Sequence, residues 1–67
     1  MKNDIGNEIV TLFKIESRHD FTIPEIMSSL KVKNREMVVI ALARLEGQNI
    51  IELSREKGRA KYYRLKL

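Results

Sequence analysis

The residues best suited to bind an anion are concentrated in the segment SREKGRAKYYRL, from Ser54 to Leu65. Five of its twelve positions are basic and two are tyrosine, whereas Glu56 is its one acid. This density of positive charge favours an anionic partner such as a nucleic acid. The alternative is a charged loop that keeps strand edges of neighbouring molecules from associating.

The charge of the whole chain is divided in the same sense. Residues 1–30 hold three bases and five acids, a net charge of −2, and residues 31–67 hold ten bases and four acids, a net charge of +6. This asymmetry indicates that the C-terminal half meets an anionic partner. A basic but merely solvated surface is the other interpretation of the charge alone.

No other group of residues predicts catalysis or metal binding. His19 is the only histidine and there is no cysteine, so a metal ion would need oxygen ligands for which no suitable spacing exists. Ser28 and Ser29 lack the basic partner or glycine elbow that activates a nucleophile, and the carboxylates are scattered. We therefore expect no enzymatic activity and no cofactor, and no small-molecule ligand is evident from the sequence.

Length and hydropathy favour one soluble cytoplasmic domain, residues 1–67. A chain of 67 residues lies near the lower limit of independent stability. Its apolar runs are far shorter than the ~20 residues that cross a bilayer, and its first residues lack the apolar core of a signal peptide. The absence of cysteine suits a reducing compartment, and we expect no membrane partner.

Two helices are predicted in the first half of the chain, over about residues 3–16 and 23–30. The first has an apolar stripe at helical spacing and can be capped by Asn3 or Asp4. The second begins at FTIPEI, where Thr22 and the following glutamate have the spacing of a capping box. The phenylalanine and second isoleucine of this segment form a hydrophobic staple, and the proline lies in the first turn, where its missing N–H costs nothing.

A third helix is predicted over about residues 35–48, because inward residues recur at i, i+3, i+4 and i+7. These residues are Val38, Ala41, Leu42 and Leu45. Asn34 precedes the helix as an N-cap, and Asn49 follows as the left-handed residue that ends it. From residue 50 the apolar period changes to two, which predicts a β-hairpin over about residues 50–66 with Gly58 in its turn.

The order helix, helix, short turn, helix and basic hairpin resembles the winged helix-turn-helix DNA-binding superfamily over nearly the whole chain. The likeness is carried by FTIPEIMSSLKV in the second helix and turn, ALARLEGQNII at the end of the third helix, and GRAKYYRL in the returning strand. Asn49 stands where glycine is commoner in the superfamily. The resemblance implies an α+β fold of three helices followed by a two-stranded antiparallel hairpin, the wing.

The resemblance also implies which residues contact DNA. The third helix would lie in the major groove with its N-terminal part at base edges, while the wing touches the backbone. The implied wing contacts are Arg55, Lys57, Arg59, Lys61 and Tyr62. The implied contacts at the turn and the third helix are Lys31, Lys33, Asn34, Arg35, Glu36 and Val39. Asn34 as a cap alone, and Tyr62 as a packing residue, remain open alternatives.

The third helix departs from the superfamily pattern. Its segment MVVIALA, Met37 to Ala43, contains no polar residue, although a recognition helix usually presents polar side chains outward. Val39 and Ala43 could contact thymine methyl groups. Alternatively, this outward face, which includes Ile40, is an interface with a protein.

Three functions are compatible with these patterns. The favoured one is a small regulator of transcription, prokaryotic or viral, that binds specific duplex DNA. The alternatives are a winged-helix module that binds a protein through the apolar face of the third helix, and shape-selective binding of RNA or non-B DNA. A homodimer through the first helix, broadened by Val10, is also expected, because a short chain gains from a shared core and two half-sites bind better than one.

Overall fold

The computed structural model of the chain describes residues 4–16 and 20–66. The elements in chain order are α1 (Ile5–Ile15), β1 (Phe21–Thr22), α2 (Ile23–Leu30), α3 (Arg35–Gly47), β2 (Ile51–Lys57) and β3 (Ala60–Leu65). The predicted α+β class, with three helices and an antiparallel hairpin, is confirmed. The expectations for Asn3 and His19 lie outside the described residues. Among the helices described, none has the length and apolar character needed to span a membrane.

Side-chain hydrogen bonds fix the beginning of each helix. Asp4 Oδ1 accepts from the backbone N–H of Gly6 at 2.9 Å. The predicted capping box of α2 is present, since the N–H of Thr22 donates to Glu25 Oε1 at 2.9 Å and the N–H of Glu25 donates to Thr22 Oγ1 at 3.4 Å. Asn34 caps α3. Each cap satisfies N–H groups that have no partner within the helix and contributes about 1 kcal/mol.

The sheet has three strands in the order β1-β3-β2, so the prediction of a hairpin with only two strands is wrong. The additional strand follows from the cap of α2. An N-cap residue takes an extended backbone conformation, and Thr22 has φ −92° and ψ 164°. Phe21 and Thr22 are therefore already strand-like, and they pair with Tyr63 and Tyr62 along the other edge of β3.

Two left-handed residues end α2 and α3. Asn49 takes φ 63° after α3, as predicted, and Lys31 takes φ 57° after α2. In both cases the N–H of the next residue donates to the carbonyl five positions back, at 2.9 and 3.0 Å. These bonds satisfy carbonyl groups that the helix leaves without partners. Lys31 thus turns the chain between α2 and α3 in a conformation more usual for glycine or asparagine.

The hairpin ends in a two-residue loop. The last paired residues are Lys57 and Ala60, and Gly58 takes φ 63° between them. Positive φ at the first loop residue is a requirement of the tight turns that match the twist of two antiparallel strands. The prediction for Gly58 is therefore confirmed.

An apolar core joins the helices to the inner face of the sheet. Its buried residues are Ile9, Phe13, Phe21, Ile26, Val38, Ala41, Leu42, Leu45 and Ile51. Phe13 of α1 and Phe21 of β1 stack with ring centroids 4.6 Å apart and an interplanar angle of 7°. Val32 packs against this core from the α2–α3 turn. Ile9 and Phe13 of the apolar stripe of α1 are buried within the chain. Val10 and Leu12 remain partly exposed, and they are the residues of this stripe that a homodimer could still use.

Candidate nucleic-acid interface

The turn before α3 and the first residue of that helix present a group of cations. Lys31, Lys33 and Arg35 are all exposed, and none of them forms an ion pair with any residue that the structure describes. They lie beside the N-terminal end of α3, where the helix dipole is positive. An anion at this place meets side-chain charge and dipole together.

Asn34 is committed to the backbone of α3. Its Oδ1 accepts from the N–H of Glu36 at 3.0 Å and from the N–H of Met37 at 3.4 Å. The cap role of Asn34 is therefore confirmed, and its NH₂ group is what remains to donate to a base or phosphate. The side chain of Glu36 is exposed in the first turn of the helix, where the dipole favours an acid.

The exposed apolar residues of α3 belong to two different surfaces. Val39 is 40% exposed and Ile40 is 51% exposed, yet successive residues of a helix are turned by about 100° from one another. Ile40 and Met37 line a groove between α3 and α1, whereas Val39 does not. Val39 instead shares a flank with Arg35, four positions earlier. The exposed apolar residues of this segment are thus divided between a groove and the flank that carries the candidate base-contacting residues.

The tip of the hairpin carries three exposed cations: Lys57, Arg59 and Lys61. None of the three is engaged in an ion pair within residues 4–16 and 20–66. Lys57 pairs with Ala60 and Lys61 with Glu56, and because adjacent pairs alternate in face, the two lysines point to opposite sides of the ribbon. The tip therefore presents positive charge on both sides, which suits a phosphate backbone more than a single directed contact.

A β-bulge separates the base of the hairpin from its tip. The register shifts between Leu53 and Arg55, so that Ser54 has no partner and Arg55 pairs with Tyr62. Strict alternation from Ile51 would have placed Arg55 on the core-facing side of the sheet. The bulge instead moves it to the outer side, next to Tyr62.

Arg55 is held at the base by an acid from the segment before β1. Asp20 Oδ2 accepts from Arg55 Nε at 3.2 Å and from Ser54 Oγ at 3.1 Å, and the guanidinium carbon lies 4.2 Å from the centroid of the Tyr62 ring. The Asp20 side chain is only 12% exposed, while that of Arg55 is 58% exposed. In this Asp20 cluster (Asp20, Ser54, Arg55 and Tyr62) the charge of Arg55 is already balanced, so a phosphate there would compete with the carboxylate.

Arg64, the remaining arginine of the hairpin, is also paired. Its Nε donates to Glu52 Oε2 at 2.7 Å, and the two residues face each other directly across β2 and β3. A cross-strand pair of opposite charge contributes roughly 0.2–1 kcal/mol to a sheet. The arginines of the base thus differ from the cations of the tip in having acidic partners.

Tyr63 faces the core. It pairs with Phe21 on one side and with Leu53 on the other, and it packs against the buried cluster. Burial, followed by the negative charges of Glu46 and Glu56, raises the pKa of its hydroxyl group. Tyr63 is therefore a packing residue, in contrast to its neighbour Tyr62 on the outer side.

The structure brings some of the predicted contacts together and leaves others apart. Arg55 and Tyr62 touch, and Lys31, Lys33 and Arg35 crowd one helix end. Within the described part of the chain, no hydrogen bond or ion pair links this helix end to the hairpin. Sequence reasoning missed Asp20, because its contact with Arg55 depends on the pairing of β1 with β3. The signal that the sequence offered was the acid Asp20 itself, which directly precedes the segment FTIPEI at the start of α2.

Comparison with known proteins does not assign the chain to a family. No protein-family model, no curated protein and no solved structure matches it. Its function is therefore argued from the charges and geometry described above.

Proposed function

We propose that this chain is a winged helix-turn-helix protein that binds duplex DNA and regulates transcription. The observation that carries the proposal is the placement of six exposed cations in two groups, none of them in an ion pair with a residue that the structure describes. One group, Lys31, Lys33 and Arg35, surrounds the beginning of α3, and the other, Lys57, Arg59 and Lys61, surrounds the hairpin loop. A winged helix meets DNA at these two places, the start of its recognition helix and its wing.

The arrangement of the elements supports this proposal. The connection between α2 and α3, residues 31–34, has the length of a helix-turn-helix turn. The hairpin follows α3 directly, and the buried Ile51 at the beginning of β2 belongs to the same core as Val38 and Leu42 of α3. The third helix and the hairpin are thus fixed to one another, which two simultaneous contacts with one duplex require.

In this function α3 contacts bases with the flank that carries Arg35 and Val39. Arg35 donates to the N7 and O6 acceptors of guanine, Glu36 accepts from a cytosine amino group, and Val39 contacts a thymine methyl group. Lys31 and Lys33 hold the adjacent phosphates and fix the register of the helix. Asn34 contributes mainly by capping the helix that presents these side chains.

The hairpin tip supplies affinity that does not depend on sequence. Lys57, Arg59 and Lys61 neutralise phosphates, and counterions are released when they do so. Arg55 and Tyr62 contribute less, since Asp20 already accepts from Arg55. The wing contacts predicted from the sequence therefore fall into a free group at the tip and an engaged pair at the base.

Salt dependence of binding tests the proposal directly. If about three to five phosphates are neutralised per chain, the logarithm of the association constant for random duplex falls against the logarithm of salt concentration with a slope of roughly −3 to −5. Fluorescence anisotropy of a labelled duplex over a salt series measures this slope. A slope near zero, or no binding at the lowest salt, contradicts DNA binding.

The role of α3 is tested with Val39→Ser. The expected result is a loss of about 1–3 kcal/mol in binding to a selected site that contains the contacted thymine, with the affinity for random duplex unchanged. The selected site comes from enrichment of a random library on the wild-type protein. If the variant binds every duplex as the wild type does, α3 does not contact bases through this flank, and the protein-binding alternative gains.

A further inference from the structure

A groove of about 850 Å³ lies between α1 and α3 and extends to one end of the sheet, where the beginning of β2 pairs with the end of β3. Val10 of α1 lines one wall, Met37 and Ile40 line the other, and Ile50 and Leu65 close one end. Ile40 and Met37 are 51% and 48% exposed. This volume falls within the ~300–1,000 Å³ typical of sites for small ligands.

The rim of this α1–α3 groove is positively charged. Lys14, Arg44 and Lys66 line it, against Asp4 as the acid. Lys14 and Arg44 form no ion pair with any described residue, and Lys66 Nζ has only a 3.4 Å hydrogen bond to Asn49 Oδ1. Asp4 Oδ1 already accepts from the N–H of Gly6. The groove thus combines an apolar floor with cations that have no anionic partner within residues 4–16 and 20–66.

We propose that the α1–α3 groove binds a small amphipathic carboxylate, with its apolar body against Val10, Met37 and Ile40 and its carboxylate at Arg44. The guanidinium of Arg44 can donate two parallel hydrogen bonds to a carboxylate, and Lys14 lies on the same groove. An amphipathic carboxylate contacts both the apolar floor and the cations of the rim. A neutral hydrocarbon would contact the floor alone.

The volume and the charge favour a small molecule over a second copy of the chain. The groove volume of about 850 Å³ lies within the range typical of small-ligand sites. A second copy would also bring its own Lys14 and Arg44 to a rim that is already positive. The anionic head of a carboxylate meets no such repulsion.

Titration with three eight-carbon ligands tests the proposal: octanoate, octanol and octylammonium. Backbone amide shifts of the isotope-labelled protein are followed without DNA. Octanoate is expected to shift the amides of Val10, Ile40 and Arg44 along a saturable curve, octanol to bind about fivefold more weakly and octylammonium more weakly still. Equal affinities for the three ligands, or no saturable shift below about 10 mM octanoate, overturn it.

Two substitutions in the groove sharpen the test. Ile40→Ser is expected to weaken octanoate binding about tenfold, while the adjacent Val39→Ser, which lies outside the groove, leaves it within about twofold. Arg44→Gln is expected to lower the preference for octanoate over octanol, although Lys14 and Lys66 remain on the rim. Equal losses from Ile40→Ser and Val39→Ser, or a preference for octanoate that is unchanged in Arg44→Gln, overturn the assignment. Thermal melts of each variant establish that it is folded.

Self-association is the remaining outcome and is measured on the same samples. If the groove amides shift with protein concentration alone, and sedimentation shows a dimer that Ile40→Ser abolishes, the groove is a homodimer face and the carboxylate site is wrong. The inference does not rest on DNA binding. The titration contains no DNA and the salt series contains no octanoate, so either proposal can fail without the other.

Discussion

The base and the tip of the hairpin are built from the same residue types but are used differently. At the base, Arg55 and Arg64 each reach an acid, at 3.2 and 2.7 Å. At the tip, Lys57, Arg59 and Lys61 are exposed and have no acidic partner among the described residues. The difference teaches that direct contact with an acid decides whether a cation is available to a ligand. Lys61 has no such contact, although Glu56 lies opposite it in the register.

The largest expected effect comes from removing the charge of the tip. The triple variant Lys57→Gln, Arg59→Gln, Lys61→Gln should lose affinity for all duplexes by on the order of 100-fold at low salt, and the salt slope should become shallower by about two to three. Arg59→Ala alone should lower the slope by about one. Thermal stability should change little, because exposed side chains without partners contribute little to folding.

The matched control for the tip is Arg64→Gln at the base. Arg64 is paired with Glu52. The substitution Arg64→Gln should therefore destabilise the fold more than any single substitution at the tip, and it should lower duplex affinity less than Arg59→Ala does. If Arg64→Gln weakens DNA binding as strongly as Arg59→Ala, the base and the tip are equivalent, and the distinction between them fails.

A smaller effect is expected when Arg55, at the base of the hairpin, loses its acidic partner. Asp20→Asn removes the carboxylate that accepts from Arg55 and Ser54 and should lower the free energy of unfolding by about 1–2 kcal/mol, which for a domain of this size lowers Tm by about 5–15 °C. The released Arg55 should raise affinity for random duplex a few-fold at low salt. Calorimetry and anisotropy measure the two changes, and an unaltered or weakened affinity would place Arg55 away from the phosphates.

The smallest expected effect is a loss of stability at alkaline pH. It involves Tyr63, on the core-facing side of β3. The folded chain holds the Tyr63 proton more tightly than the unfolded chain does, because burial and two glutamates raise the pKa of Tyr63. The unfolded state therefore binds fewer protons above about pH 10, and stability falls as the pH rises through that range. Denaturant unfolding of Tyr63→Phe should show a weaker loss between pH 9 and 11 than the wild type. An equal loss would show that other groups cause it.

The elements with local signals could be predicted from the sequence. Thr22 with Glu25, Asn34, Asn49 and Gly58 each act within a few residues of themselves, through caps and turns whose chemistry a short segment carries completely. This is why three helices and a hairpin were predicted in the correct order. The apolar cluster then followed from helical spacing.

The features that depend on tertiary pairing could not be predicted. The contact of Asp20 with Arg55 requires β1 to lie beside β3, and the bulge at Ser54 changes the side to which Arg55 points. The division of MVVIALA into two surfaces requires α1 to lie against one side of α3. In each case the residues that come into contact are distant in the sequence. The periodicity of one segment predicts which side of that segment is apolar, but it does not predict which other segment lies against that side.

The order of the strands has a consequence for how the molecule is made. β1 and β2 pair only with β3, which lies between them and is synthesised after both. As the chain leaves the ribosome, at about 5–20 residues per second, neither earlier strand has its partner until residues 60–65 have emerged. Folding of the sheet is therefore a single late event rather than a stepwise one. Nascent chains stalled at Gly58 should show no amide protection at Phe21, whereas chains with residues 60–65 outside the ribosome should show it.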